Sequence, residues 1–159
     1  MEILIIMIVL FALFPLILIL GVAFWAAKSR KKKQELLKNS LPEGVKFSAL
    51  VRFNSGNQQD KFLKFKAFEG SGILYVHDGF IEFKSTKGLT HRFDLNSAKI
   101  YWEGENLVNG LLKWFSISDG NQKMYFNVES GVFIFHTDPS KTTTKQIYES
   151  LVLEQINRK

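Results

Sequence analysis

Three patterns of apolar and polar positions divide this chain. From Ile3 to Ala27 no residue is charged, a run of 25 positions. From Val45 onward apolar and polar residues alternate, beginning with apolar positions at 45, 47, 49, 51 and 53. Over Lys141 to Asn157 the spacing becomes helical, with Ile147, Tyr148, Leu151, Val152 and Ile156 recurring on one face. The first run would be about 37 Å long as an α-helix. A bilayer core is about 30 Å thick and needs about 20 apolar residues. The pattern therefore predicts a single transmembrane anchor over residues 1–27, with Pro15 tolerated inside it and Trp25 at its interfacial end. A cleaved signal peptide would carry positive charge ahead of a shorter apolar core. Here Glu2 precedes the run, and basic residues follow Ala26 and Ala27 directly.

Those basic residues set an orientation. Lys28, Arg30, Lys31, Lys32 and Lys33 form a dense block that belongs on the cytoplasmic side. A single-pass protein of the plasma or inner membrane is expected, with its N-terminus outside and its C-terminal part cytoplasmic. The same block is a candidate contact for anionic lipid, because juxtamembrane lysines and arginines are drawn to a negative membrane surface. Residues 28–43 read as a basic stem and linker. Gln34 to Ser40 is helix-forming, and Leu41-Pro42-Glu43-Gly44 ends it.

The remainder, 44–159, fits one compact domain. Strands are predicted at Val45–Phe53, Phe62–Phe68, Ile73–His77, Phe80–Lys84, Leu89–Leu95, Ala98–Glu103, Leu111–Ser118, Gln122–Val128 and Val132–His136. Asp78-Gly79 and Asp119-Gly120-Asn121 are hairpin signals. Glycines at 104 and 110 bound a longer loop that carries Leu107 and Val108, a candidate partner contact. A closing helix is predicted with Asp138 as N-cap and Pro139 at its first position, while threonines 142–144 weaken its start. The fold class expected is mainly β: an antiparallel sandwich or small barrel of seven to nine strands, with a C-terminal amphipathic helix.

A strand meander closed by one C-terminal helix is similar to the pleckstrin-homology-like superfold. Gly72-Ile73-Leu74-Tyr75-Val76-His77-Asp78-Gly79-Phe80-Ile81-Glu82-Phe83 resembles the GRAM and bacterial PH-like pattern. Phe93-Asp94-Leu95 and Ala98-Lys99-Ile100 resemble the segment that follows it. The resemblance covers about residues 44–157, and the strand before Gly72 departs from the minimal pattern. It implies a bent barrel acting as a binding module for phospholipid headgroups or peptides, or as a scaffold. It also directs attention to Lys64 and Lys66, which share one strand face as a Lys-x-Lys pair. Read from the residues alone, that pair is a solvated face.

Charge changes little in this picture. Residues 1–40 hold six basic and two acidic residues, +4 of the chain's net +6, which leaves +2 for the folded part. A sequence pI near 9.5 thus gives no reason to expect a nucleic-acid partner. The chain has no cysteine, and no G-x-S-x-G, P-loop or H-E-x-x-H motif. His77, His91 and His136 each stand alone near a predicted strand end, so no metal, cofactor or catalytic set is expected. Tyr101, Trp102, Trp114, Phe115, Tyr125 and Phe126 are expected to pack the core. The expectation is a non-enzymatic, membrane-anchored binding or scaffold module with a protein partner. The alternatives are anionic-headgroup sensing through Lys64, Lys66 and the juxtamembrane lysines, or a carrier of a small hydrophobic ligand.

Overall fold

The computed structural model describes residues 2–56, 68–106, 112–128 and 142–158, with side chains except at 2–13, 16, 19, 23, 27, 30, 31 and 106. Helix α1 (Glu2–Asn39) is one element of 38 residues, with Pro15 inside it. It carries the apolar run, the basic block and the start of the stem without a break at residue 27. Strong helix formers at 34–38 propagate it. Pro42 disfavours helix at Leu41, and Gly44, at φ +79°, completes the exit. Among the described residues no helix is long and apolar enough to cross a membrane. Much of the Ile3–Ala27 run, from Ile3 to Leu13, has side chains outside the described set.

Among the described residues seven strands follow: β1 (Phe47–Ser55), β2 (Gly70–His77), β3 (Phe80–Ser85), β4 (Thr90–Asp94), β5 (Lys99–Asn106), β6 (Leu112–Ser118) and β7 (Lys123–Val128). They form one antiparallel sheet in the order β4-β3-β2-β1-β7-β6-β5. Strand β1 joins its two halves: its residues 47–53 pair with β2 and its residues 51–55 pair with β7. The β2–β3 hairpin turns on Asp78 and Gly79, at φ +46° and +87°. Two successive positive φ values suit the tight turn that follows strand twist.

The sheet is rolled around its core. Between β3 and β7 lie β2 and β1, so a flat sheet would separate them by three strand spacings, about 14 Å. Yet the rings of Phe83 on β3 and Phe126 on β7 lie 5.2 Å apart, centre to centre. Phe53 meets Phe83 at 4.9 Å, and Phe115 meets Phe126 at 5.6 Å. These four phenylalanines are at most 4% exposed and fill the interior. Helix α2 (Thr144–Ile156) adds Ile147 and Leu151 to the same core. Near its far end, Gln155 Nε2 donates to the carbonyls of Leu95 and Ala98 at 2.7 and 2.8 Å, which fastens the helix to the β4–β5 connection.

Three expectations need correction. Helix α2 begins later than the Asp138-Pro139 signal suggested, and its N-cap is Thr143. The Thr143 hydroxyl accepts from Gln146 N, and the Gln146 side chain accepts from Thr143 N, a complete capping box. The threonine run therefore starts the helix. Second, β5 continues past Glu103 to Asn106, so Gly104 lies in a strand and marks a bulge. Third, Ile156 is 60% exposed and does not join the buried face of α2. The strands expected at 62–68 and 132–136, and the Asp138-Pro139 pair itself, lie wholly or almost wholly outside the described residues.

Candidate binding surface

Strand β5 stands at one end of the sheet, hydrogen-bonded to β6 on one side only among the described strands. An edge strand presents a row of backbone donors and acceptors that another strand can use. The side chains flanking this edge are aromatic. Tyr101 is 48% exposed and Trp102 is 37% exposed. This overturns their assignment to the core, which holds for Trp114, Phe115 and Phe126. Successive strand residues face opposite ways. Trp102 leans toward α2 and meets Tyr148 at 5.6 Å between ring centres. Tyr101 lies on the other face, where Lys123 Nζ sits 5.8 Å from its ring and 4.8 Å from the Tyr125 ring.

The bulge shapes this edge. Trp102 pairs with Phe115 and Gly104 with Trp114, which leaves Glu103 as the extra residue. Gly104 takes φ +71°, a conformation glycine adopts freely. The displaced Glu103 reaches across the sheet, accepts from the Ser116 hydroxyl at 2.5 Å and pairs with Lys123 at 2.8 Å. Burial pulls the Lys123 ammonium down, but its bonds to Glu103 and Tyr125 outweigh this and hold it above the usual lysine range. The lysine is thereby fixed between two aromatic rings. Regular pairing runs over Lys99–Trp102, breaks at the bulge and resumes over Gly104–Asn106.

A second feature lies on the opposite flank. Helix α1 touches β2. Ile73 and Tyr75 point away from the phenylalanine core, yet they are 1% and 0% exposed. The Tyr75 hydroxyl donates to Glu82, which also pairs with Arg92 at 3.4 Å. Burial, then the bond to Glu82, raises the phenol above the usual tyrosine range. Gln34 of α1 is buried as well. Between α1 and the start of β2 runs an open groove of about 690 Å³. Trp25, Ser29 and Lys33 form one wall; Glu69, Ser71 and Lys87 stand on the other.

Of the residues singled out in the sequence, Lys28, Lys32 and Lys33 are exposed on α1. Arg30 and Lys31 lie on the same helix, with side chains outside the described set. Lys64, Lys66, Leu107 and Val108 all fall outside the described residues. His77 is half-buried, 3.5 Å from Asp78, and His91 stacks on Phe93 with ring centres 6.4 Å apart. Among the described residues no group of three or more His, Asp or Glu side chains could hold a metal ion.

Compared with known proteins, the chain matches no family model, no curated protein and no solved structure.

Proposed function

We propose that this protein is a non-enzymatic binding module, held at the cytoplasmic face of a membrane by one N-terminal helix, that engages a protein partner through the β5 edge. The anchor reading rests on the 25 uncharged positions of Ile3–Ala27 and on the basic block that follows them. A PH-like barrel is the finer reading of the fold. Its support is the seven-stranded antiparallel order and the single C-terminal helix that inserts Ile147 and Leu151 into the core.

The observation that carries the partner reading is the aromatic flanking of a one-sided strand. An extended segment added to Lys99–Trp102 would gain backbone hydrogen bonds and lie between Tyr101 on one face and Trp102 with Tyr148 on the other. Aromatic anchors beside an edge are the features that dominate binding energy at interfaces. The phenylalanine-filled interior weighs against the carrier alternative, since the core side chains already meet one another. The test is photocrosslinking in native membranes, with benzoylphenylalanine replacing Trp102 in the full chain. One discrete adduct, absent when the probe replaces exposed Leu153 of α2, is the expected result. Equal and diffuse labelling from both positions would overturn the assignment.

A further inference from the structure

We infer that the groove between α1 and β2 holds the headgroup of an anionic phospholipid from the same bilayer that receives the anchor. Two lysines face it from independent elements: Lys33 from the helix and Lys87 from the β3–β4 turn. Ser29 on α1 and Ser71 on the sheet side add hydroxyl groups to the lining, while the Thr86 hydroxyl donates to Ser71 O at 3.2 Å. Trp25 closes the end nearest the apolar run, the depth at which an interfacial tryptophan sits. The inference rests on the anchor reading, because that reading places Trp25, and with it the groove, at headgroup level.

The turn that carries Lys87 is closed by hydrogen bonds, which matters for a headgroup site. Ser85 N donates to Leu89 O at 2.7 Å, and the Ser85 hydroxyl accepts from the backbone of Lys87 and Leu89 at 3.2 and 3.0 Å. Thr86 N donates to Ser71 O at 2.9 Å, tying the turn to β2 beside the groove. Gly88, at φ +89°, allows the reversal. Just past it, Leu89 is a 42% exposed leucine. A lysine followed two residues later by an exposed leucine suits contact with headgroup and acyl boundary together. Among the described residues of the lining the one acidic side chain, Glu69, accepts from the Ser55 hydroxyl at 2.5 Å, and the Lys87 ammonium lies 3.4 Å from the Glu69 carbonyl. Glu69 is thus engaged within the sheet. Lys28 and Lys32 line an adjoining groove with Glu35 that shares Trp25 and Ser29 with this one, so the helix also carries basic charge beside this site.

The experiment uses the full chain, which has no native cysteine. A single Leu89→Cys substitution carries an environment-sensitive fluorophore. The labelled chain is reconstituted in vesicles of phosphatidylcholine alone or with added phosphatidylglycerol. The expected result is a blue shift that rises with phosphatidylglycerol content. Inorganic phosphate added to phosphatidylcholine vesicles should not reproduce it, which separates a lipid headgroup from free phosphate. Lys33→Gln and Lys87→Gln should each raise the half-maximal anionic content about fivefold. Lys28→Gln with Lys32→Gln should have a clearly smaller effect. If that pair weakens the response as much as either groove variant, or if no anionic dependence exists, the groove assignment is wrong. Flotation with plain phosphatidylcholine vesicles is read in the same samples. Failure to float defeats the anchor reading, and the groove with it; flotation without a shift defeats the groove alone. Both groove lysines are exposed, and matched thermal unfolding of the variants checks that the fold is kept.

Discussion

Gly72 shows how tightly single residues constrain this sheet. A Cβ there would lie 2.2 Å from the Lys84 carbonyl oxygen and 2.7 Å from both a Phe83 ring carbon and the Ser85 Cα. Two of these are backbone atoms of the paired strand and cannot move aside independently. Gly72→Ala is expected to lower stability by about 1–3 kcal/mol, the range for overpacked cores, as read from the urea unfolding midpoint. Thr143 acts at the other end of the chain. Thr143→Ala removes the capping hydroxyl of α2 and should cost about 1 kcal/mol, whereas Thr143→Ser should be nearly neutral. Asp119 gives a pH signature. Its carboxylate accepts from Gln122 N and Asn121 N, both at 3.0 Å, and these bonds hold its pKa below the usual value. The charged form is the one stabilised. Its contribution is complete above the unfolded-state pKa of about 3.9 and is lost as pH falls through the lower folded value. Asp119→Ala should therefore be less stable than the parent chain at neutral pH, with the difference shrinking in acid.

At the scale of elements, most strands were legible because alternation and turn residues agree. The register of β2 and β3 follows from one two-residue turn, and a shift by one would turn Leu74 and Val76 out of the phenylalanine core and put Ile73 and Tyr75 in their place. What periodicity could not reveal was the bulge at Glu103. It needs Gly104 at positive φ, and a glycine in an alternating run reads equally well as the start of a loop. That ambiguity hid the edge character of β5, and with it the exposure of Tyr101 and Trp102. Aromatic residues in strands are usually core residues; only the strand order reveals that these two stand at the border. The helix start was misplaced for a similar reason. Asp138-Pro139 and Thr143-Thr144-Lys145-Gln146 both satisfy start signals, and the structure uses the second. The element-level prediction concerns β5. Trp102→Ala with Tyr101→Ala should change stability modestly, since both side chains are substantially exposed, while removing the crosslinked partner from the edge. A large loss of stability with the partner retained would reverse the roles assigned to these two aromatics.

At the scale of the whole molecule, the helix and the sheet form one arrangement. Helix α1 passes from the apolar run into a segment that touches β2, the strand on which the outward-facing Ile73 and Tyr75 are buried. A flexible tether would leave the domain free to turn. Under the proposed anchoring, a helix packed on the sheet instead fixes which side of the sheet faces the membrane. In this arrangement the β3–β4 turn with Lys87 and Leu89 lies beside the groove near Trp25, whereas the β5 edge lies at the far end of the strand order. The proposed lipid contact and the proposed partner contact thus use different surfaces and need not compete. Both depend on the anchor and its direction, so membrane placement is the claim to test first. Asn121, in the exposed β6–β7 turn, is the position for a single cysteine in this cysteine-free chain. Labelling of Asn121→Cys with a membrane-impermeant maleimide, in intact cells and after permeabilisation, reads placement directly when the membranes are also washed in alkaline carbonate. The account predicts a carbonate-resistant protein that is labelled only after permeabilisation. Release by carbonate, or labelling in intact cells, would contradict it.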